Sequence, residues 1–319
     1  MIVQTSPELR RLSAWLAPLR RILDGHGYRH FYIGGSSARE ILDHVLLAAP
    51  IALRDLDVYL LKHGTAGPDD VARLCADIRR DGLAEVGPLR EKRRANPALV
   101  GRARYEYLAG YGVHLSAPER PILSLGVLHG PGDLALNGLF SFDTIFLAAA
   151  TAGPFLHRAE LIDPHDGYLA WRTRSPRIVH WHEVERCFAR HAFRIVRSLA
   201  KSSSLRVPEH LAREYRRRRP AVVTVDDPVE LRRDFLKVLG DEHWADELVM
   251  LASLEALTPV SPRLQAAVAT TTAAELRRAV PARPGGSPKE RALLRAGALC
   301  DELSFAETAV SVYGAGRCA

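Results

Sequence analysis

The sequence predicts a small mixed α/β head followed by an all-helical remainder. Strand-like and helix-like patterns alternate up to about residue 160, a glycine-rich turn joins a short strand to a helix early in the chain, and from Trp181 onward almost only helix signals occur. At 319 residues the chain is long enough for roughly two domains. The expected division is 1–160 for the head and 161–319 for a helical neck and body.

From Pro7 to Asp24, Leu9, Leu12, Trp15, Leu16, Leu19, Ile22 and Leu23 recur at helical spacing, with Ser6 placed to cap the first turn and Gly25 and Gly27 to end it. His30 to Ile33 is short, aromatic and β-branched, a strand that runs into the turn Gly34-Gly35-Ser36-Ser37. A helix follows through Ala38, Ile41, Leu42 and Val45. From Leu53 to Leu61, Leu56, Val58 and Leu60 alternate with Asp55, Asp57 and Tyr59, so a second strand puts both aspartates on one face. Asp69 to Arg80 reads as a helix, Arg90 to Arg104 as a basic, proline-containing loop region, and Tyr105 to Leu115 and Ile122 to Leu128 as strands. Leu161 to Gly167 is a turn-rich connection. In the remainder, Asp227-Pro228 combines a cap with a first-turn proline and opens a helix that Gly240 closes. Asp241 to Leu257, Pro262 to Val280 and Pro288 to Val312 continue the pattern, and Pro281 to Ser287 is the clearest linker.

Hydrophobic residues at 47% and charged residues at 25% are the proportions of a globular chain and exclude a disordered one. The longest apolar stretches, around Val45 to Leu53 and Thr144 to Leu156, fall short of the ~20 residues that a membrane helix needs. No export signal opens the chain, so the expected location is the cytoplasm. Cys75, Cys187, Cys300 and Cys318 lack paired spacing and read as reduced thiols. His180, His182, Cys187 and His191 match no standard zinc spacing. Lysine plus arginine exceed acids by 44 to 37, a net +7 that suits a polyanionic partner or a phosphate-bearing substrate.

A glycine turn entering a helix lets backbone N–H groups approach a phosphate, and the helix N-terminus adds a favourable dipole. Two carboxylates at i and i+2 of a strand repel one another unless a cation sits between them, and Mg²⁺, a hard ion wanting oxygen ligands, suits Asp55 and Asp57. Arg39 lies on the intervening helix. Farther on, Arg190, Arg194, Arg197 and Lys201 form one stripe of a helix whose other side carries Phe188, Ala192, Ile195, Val196 and Leu199. The runs Arg216 to Arg219 and Arg90, Lys92, Arg93, Arg94, Arg102 and Arg104 are either phosphate contacts or solvated charge.

In this order the motifs resemble the head domain of the DNA polymerase β nucleotidyltransferase superfamily, and in particular its bacterial poly(A) polymerase and tRNA CCA-adding branch. The resemblance covers about residues 28 to 205: the Gly-Gly/Ser turn, Arg39, Asp55-Leu56-Asp57, Asp133 to Leu139, Asp163-Pro164-His165-Asp166-Gly167 and the helix Arg190 to Arg197. It implies a Mg²⁺-dependent enzyme that transfers a nucleoside monophosphate from an NTP to an acceptor hydroxyl, an RNA or tRNA 3′ end. Asp55 and Asp57 would hold two Mg²⁺ ions, and Gly35, Ser36, Arg39, Asn137, Arg194 and Arg197 would bind the nucleotide. Two departures stand out. Arg190-His191 replaces the Glu-Asp pair whose aspartate helps read the base, and Pro131-Gly132 replaces an Arg-Arg pair near the triphosphate. They leave open a small-molecule or protein acceptor, and a catalytically silent fold that only binds RNA or nucleotide. Asp133 and Asp143 are the nearest candidates for a third carboxylate, and the oligomeric state is not encoded in any motif.

Overall fold

A computed structural model describes residues 6–302 except 52, 54, 63–65, 100–105, 118–121, 152–158, 202–203, 224, 226 and 281–286. Arg102, Arg104, Cys318, most of the predicted linker and the last helix beyond residue 302 lie outside the described residues, as do the side chains of 300–302. The chain divides into two compact units, residues 1–99 with 104–180 and residues 100–103 with 181–319. No helix among the described residues is long and apolar enough to cross a membrane.

The first unit is the mixed α/β head. Its elements are α1 (Pro7–Gly25), β1 (His30–Gly34), α2 (Gly35–Leu47), β2 (Asp55–Leu61), α3 (Pro68–Arg80), β3 (Glu85–Val86), β4 (Arg90–Ala95), β5 (Glu106–Ser116), β6 (Ile122–Leu128), α4 (Pro131–Ala135), β7 (Phe146–Ala150), β8 (Glu160–Ile162) and α5 (Gly167–Arg172). Helix α1 starts where the sequence places it, with the Ser6 hydroxyl accepting from the Leu9 amide at 3.2 Å. The sheet runs β3-β5-β6-β2-β1-β7-β8, with β4 beside β3 along the same edge of the long strand β5. Among the described residues only β2 and β6 pair in parallel. On β2, Leu56, Val58 and Leu60 are fully buried, whereas Asp55 and Asp57 look out from the other face.

Two segments differ from their sequence patterns. The basic stretch read as loop is strand β4 over Arg90–Ala95, because its backbone finds β5 as a partner although only Ala95 of its side chains is buried. The pattern from Pro262 to Val280 is two helices: the first ends at Ala269 with Thr270 as its C-cap, and Thr272 caps the second in a capping box with Glu275.

The second unit is helical: α6 (Trp181–Arg186), α7 (Phe188–Lys201), α8 (Glu209–Arg218), α9 (Pro228–Gly240), α10 (Trp244–Ser253), α11 (Pro262–Ala269), α12 (Ala273–Ala279) and α13 (Pro288–Glu302). The apolar side of α7 is buried, and the helix packs on α9 and α10, with Phe193 and Phe235 edge to face at 6.1 Å. Asp227 caps α9 by accepting from the Glu230 amide. At its other end Arg295 of α13 donates to the carbonyls of Leu239 and Asp241, at 2.6 and 2.7 Å.

Beneath α7, Glu247 is wholly buried and neither carboxyl oxygen has a hydrogen-bond partner. Burial, aided by Asp241, pushes its pKa up to about 8, with Arg197 and Lys201 pulling the other way. The folded protein therefore keeps a proton that the unfolded chain releases above the ordinary 4.5, and stability falls as pH rises from about 4.5 to 8. Glu247→Gln should be more stable than wild type at pH 8 by roughly 1–4 kcal/mol, with the gain shrinking toward pH 4.5. Urea denaturation at several pH values checks this; a gain independent of pH would refute it.

Candidate active site

Strand β1 passes into α2 with no intervening loop: Gly34 ends the strand and Gly35 begins the helix. Both must be glycine. A Cβ on Gly34 would lie 2.9 Å from the rings of Phe146 and Tyr59, while Gly35 has φ +62° and its Cβ would lie 3.1 Å from Asp57 Oδ2. The first turn of a 13-residue helix thus begins against the aspartate strand. The buried Ser37 hydroxyl fixes this arrangement by donating to the Asp55 carbonyl at 2.9 Å. Gly35 and Ser36 remain partly exposed.

Asp55 is exposed and Asp57 half-buried. Burial pushes the Asp57 carboxyl up from its ordinary range, and the Asp55 charge adds to this; Asp143 raises it further, while Lys92 and a hydrogen bond from Ser124 pull it down. Ser124 stands opposite Asp57 in the parallel β2–β6 pair and also shares a 3.0 Å hydrogen bond with His114 Nδ1. On the neighbouring strand, the position facing Asp57 is therefore a hydroxyl rather than a third carboxylate.

The acid face also has resident cations that the sequence patterns did not assign to it. Lys92 of β4 sends its side chain across two strands, past Gly112 of β5 and Gly126 of β6, which are paired in register. Its ammonium lies 4.8 Å from the centre of the Tyr59 ring, and Tyr59 pairs with Gly126. Burial and the adjacent Arg94 charge pull the Lys92 pKa down to about 8, against the attraction of Asp57. Arg94 donates to Asn137 Oδ1, and Asn137 shares a hydrogen bond with the buried Tyr59 hydroxyl, whose pKa is raised first by burial and then by Asp57. The one signal in the sequence was the alternation Arg90-Lys92-Arg94. What gives it meaning is the glycine pair in two other strands.

Arg39 is buried in α2. Its guanidinium lies 4.9 Å from the Phe142 ring centre and 4.8 Å from that of Trp171, and donates to the Phe142 carbonyl at 2.7 Å and to Asp143 Oδ1 at 3.0 Å. It thereby holds the 3₁₀ turn Ser141–Asp143, and Asp143 is the candidate third carboxylate whose charge reaches Asp57. Asp133 sits in the first turn of α4. The Asp163 carboxylate accepts the amides of Gly167 and Tyr168 at 2.6 and 3.0 Å, so the Asp-Pro-x-x-Gly turn caps α5.

Among the described residues no group of three or more His, Cys, Asp or Glu side chains is arranged to hold a metal. Asp55 and Asp57 nevertheless fit Mg²⁺, which is commonly held by one or two carboxylates together with substrate phosphates and water.

In the helical unit the basic stripe is divided. Arg190 pairs with Glu230 and Asp234 of α9 at 2.7 and 3.0 Å, and the buried Asp234 also binds Lys237. His191 is buried and shares a hydrogen bond with the Cys187 carbonyl; burial and Arg194 hold its pKa well below the usual value. Arg194 is exposed, and Arg197 is half-buried with its Nε lacking a hydrogen-bond partner. The run Arg216 to Arg219 is paired with Glu209, Glu214, Glu185 and Glu255.

Arg39→Ala should leave the Asp143 carboxylate without its cation and cost about 3 kcal/mol, the low end for a broken buried pair because Asp143 keeps some water. Denaturant titration checks this; a loss below about 1 kcal/mol would place the pair among surface bridges.

No protein-family model matches the chain, and no curated protein matches its sequence. Solved structures match its fold. A CCA-adding enzyme in complex with ATP superposes with a TM-score of 0.51 at 15% identity, over 81% of this chain and 54% of that one. A tRNA-processing enzyme in an apo form gives 0.53 at 15% identity, over 90% and 77%. A tRNA nucleotidyltransferase complexed with a primer tRNA and an incoming ATP analogue gives 0.51 at 17% identity, over 91% and 79%. The chain spans about half the length of the first of these enzymes. What it shares with them, at such identity, is the fold: a mixed-sheet head followed by helices.

Proposed function

We propose that the protein is a Mg²⁺-dependent nucleotidyltransferase that moves a nucleoside monophosphate from an NTP to an acceptor hydroxyl, an RNA or tRNA 3′ end. The observation that carries this reading is the loopless β1–α2 junction, which sets a helix N-terminus against the Asp55–Asp57 face. The amides of the first turn and the Ser36 hydroxyl supply donors to the β- and γ-phosphates. Asp55 and Asp57 would hold the divalent cation, which when bound neutralises triphosphate charge and lowers the pKa of the attacking hydroxyl. The acceptor oxygen then attacks the α-phosphorus in line, the bond to the bridging oxygen breaks, and pyrophosphate leaves.

The remaining site residues support this geometry. Arg39 acts through the turn that it holds, keeping Asp143 within electrostatic reach of Asp57. Asn137, fixed between Arg94 and Tyr59, is assigned to the sugar side. The resemblance assigns Arg194 and Arg197 to the nucleotide as well. The structural neighbours support an NTP substrate and a tRNA acceptor, since their complexes contain ATP and, in one, primer tRNA.

A changed base preference is favoured by one observation: Arg190, where the family's base-reading pair begins, is turned to Glu230 and Asp234 of its own unit. With Mg²⁺, each labelled NTP and tRNA lacking its 3′ end, the protein should label the RNA, and Asp57→Ala should abolish labelling while leaving RNA retention in low salt unchanged. Labelling of a small molecule or protein instead would move the acceptor class. Nucleotide binding with no transfer to any acceptor would leave a silent binding fold.

A further inference from the structure

We propose that Lys92 is the resident counter-ion of the aspartate face: carried over Gly112 and Gly126 to the Tyr59 ring, its ammonium stands in for one divalent cation, so that the site takes a single metal ion with its nucleotide. The inference rests on the nucleotidyl-transfer reading above and changes its metal count.

The path of the side chain is the first ground. A Cβ at Gly112 would lie 2.7 Å from Lys92 Cε, and one at Gly126 would lie 2.8 Å from its Nζ. Gly112 and Gly126 are paired, and Gly126 is paired with Tyr59, so the two glycines open a trough along one row of the sheet from its edge to β2. Any side chain at either position would meet the lysine. The trough ends at the residue two positions from Asp57 on the same face, where the ammonium is held over an aromatic ring at 4.8 Å.

The charge count is the second ground. Two carboxylates share the face, Asp55 and Asp57, and the charge of Asp143 reaches Asp57 from the 3₁₀ turn. Among the described residues Arg39 is paired with Asp143, Arg94 donates to Asn137 and the Lys92 charge acts on Asp57, which leaves Asp55 to a further cation. The third ground is the donor set. Two metal ions roughly 3.5–4 Å apart need shared and flanking carboxylates. Here β6 presents Ser124 opposite Asp57, and the described residues hold no three-acid cluster.

Removing the ammonium should therefore create affinity for a metal. Mn²⁺ binding, read by electron paramagnetic resonance with and without a non-hydrolysable NTP analogue, would compare wild type, Lys92→Gln and Lys92→Arg at one pH. The expected result is one bound Mn²⁺ in the wild type with the analogue, and in Lys92→Gln a second ion, or binding at least about tenfold tighter, the effect of deleting one neighbouring like charge. Lys92→Arg should stay near wild type, and adding Asp57→Asn to Lys92→Gln should remove the gain. Gly126→Ala, which displaces the ammonium without touching its charge, should shift Mn²⁺ affinity in the same direction and covers the case in which Lys92→Gln does not fold. Two ions in the wild type, or equal Mn²⁺ binding in the wild type and in whichever of Lys92→Gln and Gly126→Ala folds, would overturn the proposal. Failure of the parent reading shows differently, as absence of binding of the NTP analogue to wild type while the Mn²⁺ comparison still stands.

Discussion

The constraint on which the head depends is the passage from β1 to α2 without a connecting loop. In this junction one residue takes a left-handed backbone and its neighbour leaves room for what packs above it. Gly35 does the first at φ +62° and Gly34 the second beneath Phe146 and Tyr59. Because the junction is this tight, the unsatisfied amides of the helix start lie near the carboxylate of the paired strand, Asp57 being in register with Gly34. A looser connection would keep the same residues but separate the positive end of the helix from the acidic face.

An acidic face in the middle of a sheet brings an electrostatic cost that the rest of the head is arranged to offset. Burial and the neighbouring Asp55 charge raise the proton affinity of the half-buried Asp57, and positive charge from elsewhere in the fold opposes this. Arg39 neutralises Asp143, whose charge reaches Asp57, and is held against two aromatic rings and the Phe142–Asp143 turn. Lys92 supplies positive charge from the sheet edge. The same logic of a charge fixed by its surroundings appears in the helical unit, where Arg190 and Lys237 share the buried Asp234.

Much of the fold was legible in the sequence because it is written locally. The caps at Ser6 and Asp227, the period-two alternation through Asp55 and Asp57, and the apolar side of α7 depend on residues within a few positions of one another, and each is found in the structure. Strand β4 was not legible, since an edge strand with one buried side chain has no apolar alternation to betray it. Nor was Lys92 as a member of the acid face. Its place depends on Gly112 and Gly126 facing one another in two strands, and such register is set by pairing between distant segments.

The departures from the family pattern acquire a physical sense once the local geometry is known. Replacing an acidic pair by Arg190-His191 places one cation against Glu230 and Asp234 and one imidazole in an apolar interior, where burial keeps it neutral. Both residues then serve the packing of α7 on its neighbours. Farther along the stripe, Arg194 has an exposed side chain and Arg197 a buried Nε that lacks a hydrogen-bond partner. Charge readout of phosphate tolerates such a change, whereas hydrogen-bond readout of a base amino group does not, because a guanidinium only donates and cannot accept as a carboxylate does.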